Sequence, residues 1–199
     1  MGIEAPASHF YTAAQAIAAF ISSSSRRPHV YVVGSQALRN ELSKKGAVFD
    51  ETNPEYVVVA SGGRYGIEEI DKSIELILKG ARFITASAET TSPSEKGPKS
   101  GCGALIAPVE RVTGRAAYAL GKPNHLMIRE VERLYGLTAK ECLIIGDSLG
   151  TDIDLGVQAG MKTVLVLSGT TSAADVRCCA YKPDYLFANV GEIDLDKLP

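Results

Sequence analysis

The chain has 199 residues, a hydrophobic share of 45% and a formal net charge of −2. That length allows one ordinary domain or two small ones, and that apolar share supports a real core. The charge balance excludes a global basic field of the kind that draws a protein onto nucleic acid or a membrane surface, and no run approaches the ~20 apolar residues of a membrane span. The opening MGIEAPASHFYTAAQ lacks the basic-then-apolar order of a secretory leader, and Pro6 stands where a myristoylation motif needs Ser or Thr. The four cysteines, Cys102, Cys142, Cys178 and Cys179, form no CxxC pair, a usage that suits a cytoplasmic protein in a reducing compartment.

In chain order, residues 9–21 read as an alanine-rich helix ended by SSSSRRP; its low charge suits it to cover a neighbouring surface, and a second copy of the chain, in a homo-oligomer, is one candidate by analogy. VYVVG (30–34) reads as a buried parallel strand, Ser35 as the cap of a helix over QALRNELSKKG, and Gly46 as its stop. YVVVA (56–60) is a second buried strand. Residues 67–80 place Ile67, Ile70, Ile74, Ile77 and Leu78 on one helical face. RFITA (82–86) is a third strand, followed by the polar, least structured stretch SAETTSPSEKGPKSG. ALIAPVERVTG then reads as a helix and AAYAL (116–120) as a strand. A helix over HLMIREVERLYG turns Met127, Val131 and Leu134 inward, and Thr138 with Glu141 has capping-box spacing. Strand CLIIG, an acidic turn, helix TDIDLGVQAG and strand KTVLVL complete the pattern. Strands alternate with helices, which gives an α/β fold with a mostly parallel sheet. The polar stretch and the helix after it place a domain boundary near residue 105, giving units 1–105 and 106–199.

The acidic turn carries the strongest chemical signal. In open α/β sheets, sites form at the carboxyl ends of strands. Asp147 stands at such an end, next to Gly146. A carboxylate there gains little from helix capping and is a candidate ligand for a hard cation such as Mg2+. Asp152 and Asp154 open the next helix, with Thr151 as its cap, so helix-start stabilisation is the competing reading for both acids. Lys122, in GKPN, also follows a strand; it either balances the charge of a phosphate or is a solvated loop lysine. His9, His29 and His125 are scattered, and SGGRYG does not spell a dinucleotide-binding GxGxxG. The adjacent pair Cys178 and Cys179 reads as packing or surface.

YALGKPN (118–124), LIIGDSLGTDIDLGVQAGMKTVLVLSG (143–169) and KPDYLFANVGEI (182–193) resemble the haloacid dehalogenase (HAD) superfamily of phosphatases, and within it the NagD-like, 4-nitrophenylphosphatase branch. Upstream, VYVVGSQALRNEL, NPEYVVVA, GARFITA and GCGAL resemble the α/β cap domain of that branch, so the resemblance runs over nearly the whole chain. It implies a cap domain followed by part of a HAD-like Rossmannoid core, and a Mg2+-dependent phosphomonoester hydrolase acting on a small phosphorylated metabolite. It implies that Asp147 helps to hold Mg2+, that Asp152 supports the metal's waters or the lysine, and that Lys122 clamps the phosphoryl group. It places a substrate-reading loop after RFITA, where relatives carry a TNPD-like pattern; here Ser87 and Glu89 keep polar character in an altered pattern.

The family's nucleophile is an aspartate after the first core strand, in a DxDG[TV] motif, with a second aspartate two residues on as acid and base. The aspartates ahead of Asp147 are Asp50 and Asp71, and neither follows a suitable strand. The resemblance therefore implies an incomplete core. In the family the absent strand lies beside the GDxxxTDI strand, so CLIIG would carry an open apolar edge. The expectations are a truncated phosphatase (a fragment or a mis-started gene), a short protein whose sheet is completed by a partner chain, or a non-catalytic binding or regulatory protein that kept the scaffold. The retained Lys122 and Asp147 favour truncation over drift.

Overall fold

The computed structural model describes residues 4–194 and Leu198. They form two compact units, 1–121 and 122–199, so the division falls later than the expected boundary near residue 105. The reason is packing. The helix after the polar stretch contributes Ile106 and Val109 to the core of the first unit.

The first unit contains α1 (Ala13–Ser24), β1 (His29–Val33), α2 (Gln36–Lys44), β2 (Val48–Phe49), β3 (Tyr56–Val59), α3 (Ile67–Leu78), β4 (Arg82–Thr85), β5 (Thr91–Ser92), β6 (Lys99–Ser100), α4 (Cys102–Thr113) and β7 (Tyr118–Ala119). Five strands form a parallel sheet in the order β2-β1-β3-β4-β7. One face, with Val33, Val57, Val59 and Phe83, packs against Leu76 and Ile77 of α3 and Ile106 and Val109 of α4. Val30, Val32, Val58 and Ile84, on the alternate face, are equally buried, as are Ile17 and Ile21 of α1 and Leu38 and Leu42 of α2. Burial on both faces explains the continuous β-branched runs. Ser35 caps α2 as expected, accepting from the Leu38 amide at 3.3 Å.

Several elements of the first unit differ from the sequence reading. The first helix starts at Ala13, because Thr12 and Gln15 form a reciprocal capping box there. In α3, Ser73, Leu76 and Ile77 are buried, whereas Ile67 and Leu78 are 68% and 55% exposed, since they stand at the two ends of the helix. The polar stretch holds the short antiparallel pair β5 and β6, with Thr91 opposite Ser100. Thr, Ser and Lys there give no alternating apolar signal.

The second unit contains α5 (Leu126–Tyr135), β8 (Leu143–Gly146), α6 (Asp154–Ala159), β9 (Lys162–Val166), α7 (Ala173–Cys178) and β10 (Tyr185–Phe187). Its sheet is parallel in the order β10-β9-β8. The capping box of Thr138 and Glu141 is present, on a single turn at Ala139–Glu141. Helix α5 departs from expectation: none of its residues is buried, and Leu134 is 52% exposed. The rest of this unit covers its apolar face only in part. Among the described residues no helix is long and apolar enough to cross a membrane.

Strands β9 and β10 are pinned at their starts by Asp184. Its Oδ2 accepts from the amide and the hydroxyl of buried Thr163, both at 2.9 Å, and its Oδ1 accepts from Lys162 Nζ at 2.7 Å. The Lys162 hydrogen bond is the main cause holding the Asp184 carboxyl below its usual 3.8, reinforced by the Thr163 donors. Because the folded-state value is the lower one, this contact stabilises the fold above the unfolded value and is lost as pH falls through the depressed value. Asp184→Ala is expected to destabilise the unit by about 1–3 kcal/mol, because a buried amide and hydroxyl lose their acceptor. Urea unfolding at neutral pH checks this, and the difference between the variant and the parent should shrink on acidification.

Candidate active site

The carboxyl end of β8 gathers three of the residues singled out above. The chain leaves the strand through Gly146 and Asp147, and a tight π-type turn over Leu149–Ile153 carries Asp152 back beneath it. The approach is so close that a Cβ on Gly146 would lie 2.2 Å from Asp152 Cβ, which only glycine permits. Thr151 therefore sits inside this turn, buried, and is not the cap of α6; the helix proper begins at Asp154. Asp154 in that first turn fits the helix-start reading.

Asp152 is 5% exposed, and its carboxylate is fully engaged. Oδ1 accepts from Lys122 Nζ at 2.6 Å, and Oδ2 accepts from the amides of Asp147 and Ser148, each at 3.2 Å. The pair is asymmetric: the Lys122 side chain is 48% exposed and the Asp152 side chain 7%. A buried carboxylate thus anchors an ammonium that still reaches solvent. In the same GKPN segment, Asn124 Oδ1 accepts from the Leu126 amide at 3.0 Å, fixing the start of α5.

Asp147 is half-buried and is held from the opposite side by the segment after β9. Its Oδ2 accepts from the Thr170 amide at 2.8 Å. Its backbone carbonyl accepts from the Thr170 hydroxyl and the Thr171 amide, both at 3.1 Å. Gly169 is forced by proximity, since a Cβ there would lie 2.0 Å from Asp147 Oδ2. Thr171 is buried, and its hydroxyl accepts from the Leu149 amide at 3.0 Å, tying this segment to the acidic turn. Beneath the turn, Leu149, Ile153 and Leu165 pack with Tyr181, whose hydroxyl donates to the Leu149 carbonyl at 2.9 Å. Burial pushes the Tyr181 phenol up, with Asp154 adding to the shift. Gly169, Thr170 and Thr171 are the positioning residues that the sequence reading passed over. The available signal was their place at the carboxyl end of β9, next to the strand that ends in Asp147.

Ser87 and Glu89 lie in the first unit, after β4. The Ser87 hydroxyl accepts from the Glu89 amide at 3.0 Å, and the Glu89 carbonyl accepts from the Gly103 amide at 2.8 Å. Asp50 is occupied elsewhere in the first unit: its Oδ1 accepts from the amides of Thr52 and Asn53, and its Oδ2 lies 2.8 Å from His29 Nδ1. The hydrogen bond to His29 is the main cause lowering the Asp50 carboxyl to about 2, aided by the two amides. Asp71 lies on the exposed side of α3.

The donor set sets limits on a cation. Among the described residues, no group of three or more His, Cys, Asp or Glu is placed to hold one. Mg2+ often takes only one or two carboxylates and fills its remaining positions with waters and substrate phosphate. Asp147 fits that role, since its carboxylate is fixed at a strand end while half-open to solvent. Asp152 fits a supporting role, because its oxygens are committed to Lys122 and two amides. The geometry anchors an ammonium on Asp152, whose other oxygen accepts from the Asp147 amide, an arrangement that suits an anion bound together with a cation.

A family model described as HAD-hydrolase-like matches residues 119–193. The ribonucleotide monophosphatase NagD of Escherichia coli K12 is 37% identical over 194 residues, covering 98% of this chain and 76% of that protein. The solved structure of NagD superposes with a TM-score of 0.89 at 36% identity, over 97% of this chain and 76% of that one. A 4-nitrophenylphosphatase from Thermotoga maritima gives a TM-score of 0.90 at 31% identity, covering 96% and 74%. The glycerol phosphate phosphatase of Mycobacterium tuberculosis, solved in complex with magnesium, gives 0.87 at 28% identity, covering 93% and 57%.

Proposed function

Because the chain belongs to the HAD-like hydrolase family, in its NagD and 4-nitrophenylphosphatase branch, we propose that it is the metal- and phosphate-holding part of a Mg2+-dependent phosphomonoester hydrolase. Its substrate is a small phosphorylated metabolite, the class named for its relatives, and its place is the cytoplasm. The observation that carries this reading is the Lys122–Asp152 pair, 2.6 Å long, beside Asp147 at the end of β8.

In this reading Lys122 binds the phosphoryl oxygens and neutralises their charge. Asp152 keeps the ammonium aimed through a charge-assisted hydrogen bond. Asp147, fixed by Thr170, would hold Mg2+. The metal, when bound, supplies further neutralisation of the phosphoryl charge. Ser87 and Glu89, after β4, keep the polar character of a substrate-reading loop. Formation of a phosphoryl-enzyme needs an attacking carboxylate. Asp50 is held by His29 and Asp71 lies on a helix surface, so neither supports that role. Turnover therefore requires a carboxylate from polypeptide outside these 199 residues. The same observation favours a second reading, a non-catalytic binding or regulatory protein, if that carboxylate is never supplied.

Binding separates from chemistry in 31P NMR of inorganic phosphate. The expected result is Mg2+-dependent line broadening by the parent chain, lost at least tenfold in Lys122→Ala and in Asp147→Ala. Broadening that ignores Mg2+, or that survives in Lys122→Ala, would sink the proposal.

A further inference from the structure

The adjacent cysteines of the second unit have no role in the proposed phosphate chemistry, yet they connect to the turn that carries Asp152. Helix α7 ends at Cys178, an exposed residue. The chain becomes extended at Cys179, with φ −75° and ψ 142°. Cys179 is half-buried and packs, with Val176 and Tyr181, against Leu149, Ile153 and Leu165. Its thiol is also a hydrogen-bond partner of the Tyr181 hydroxyl. That hydroxyl donates to the Leu149 carbonyl at 2.9 Å, and the same carbonyl accepts from the Asp154 amide, a bond that helps to close the π-type turn. A continuous line of contacts thus runs from an exposed thiol, through its neighbour and a phenol, to the turn over Leu149–Ile153.

We infer that Cys178 and Cys179 form a thiol-modification site for low-molecular-weight disulfides, at which oxidation to a vicinal disulfide loosens the acidic turn. The exposed Cys178 is the attacking thiol and Cys179 the resolving one. As a thiolate, Cys178 attacks one sulfur of a disulfide RSSR. A Cys178–SR bond forms, the RS–SR bond breaks, and the departing thiolate takes up the proton that Cys178 lost. Cys179 then attacks the Cys178 sulfur, a second RSH leaves with the Cys179 proton, and the Cys178–Cys179 bond forms. The protein loses two electrons and two protons, and RSSR is reduced to two RSH. The Cys178–Cys179 peptide is trans, and neighbouring Cα atoms then lie ~3.8 Å apart, below the ~4.4–6.8 Å usual in disulfides. Closing the bond therefore requires backbone movement where α7 meets extended chain, which draws the Cys179 sulfur off Tyr181. A bond formed at that spacing is easily reduced again, as a reversible modification requires. The site lies apart from the residues assigned to phosphate and metal, and the inference does not rest on that assignment.

The test treats the purified chain with glutathione disulfide and follows it by peptide mass spectrometry and hydrogen exchange. Trypsin cuts after Arg177, so both thiols fall in one peptide. The expected product is that peptide lighter by two hydrogens, restored by a phosphine reductant. Cys179→Ser should stop at a glutathione adduct on Cys178, and Cys178→Ser should give neither product. In the oxidised parent the Asp154 amide should exchange about tenfold faster than in the reduced chain. Tyr181→Phe, which already lacks the hydroxyl that bonds Leu149, should oxidise without that response. A parent that stops at the adduct, or that links either thiol to another cysteine, overturns the inference. So does a vicinal disulfide that leaves Asp154 exchange unchanged, or an oxidised Tyr181→Phe that responds like the parent.

Discussion

Asp152→Ala is expected to cost the second unit about 3 kcal/mol, the low end of the ~3–5 kcal/mol for removing one partner of a buried ion pair. The low end applies because the Lys122 side chain is 48% exposed and regains water, whereas the amides of Asp147 and Ser148 lose their shared acceptor under the turn. Each of these part-buried donors left without its acceptor accounts for about 1 kcal/mol of that loss. Against a total of ~5–15 kcal/mol for a domain, this is a large loss. Asp152→Asn keeps an acceptor oxygen and should lose clearly less. Two units need not unfold together, so the test is urea unfolding followed at Val164 and Leu165, both fully buried in β9. Equal stability of Asp152→Ala and the parent would mean that the pair does not organise the turn.

Much of this architecture was legible in the residues. The runs at Val57–Val59 and Leu143–Gly146, the cap at Ser35 and the box at Thr138 and Glu141 are local signals, and local structure honours them. The juxtaposition of Lys122 with the acidic turn was legible from the place of both at strand carboxyl ends and from the family resemblance. What stayed hidden depends on tertiary packing. The polar stretch before α4 reads as a boundary, but Ile106 and Val109 insert into the first unit's core and move the division to Gly121. Thr170 and Thr171 escaped notice because they act partly through backbone amides, which any residue type supplies. The inward face assigned to α5 followed from periodicity, which reports that a face is apolar without reporting whether anything covers it.

The other large effect concerns chemistry. In the proposed function, Lys122, Asp147 and a cation would position and neutralise a phosphate, and those terms lower the barrier without forming a new bond to phosphorus. In covalent mechanisms, deleting the attacking group lowers kcat on the order of 10^6-fold while binding residues remain. The 199-residue chain alone is therefore expected to bind phosphate with Mg2+ and to turn over at a rate near the uncatalysed one.

The most direct measurement is hydrolysis of p-nitrophenyl phosphate with Mg2+ by the purified chain, its intactness confirmed by mass spectrometry, beside Asp147→Ala. The account expects no activity in the chain above that of the variant. Mg2+-dependent hydrolysis that disappears in Asp147→Ala would contradict it, because an attacking group would then have to lie within these 199 residues.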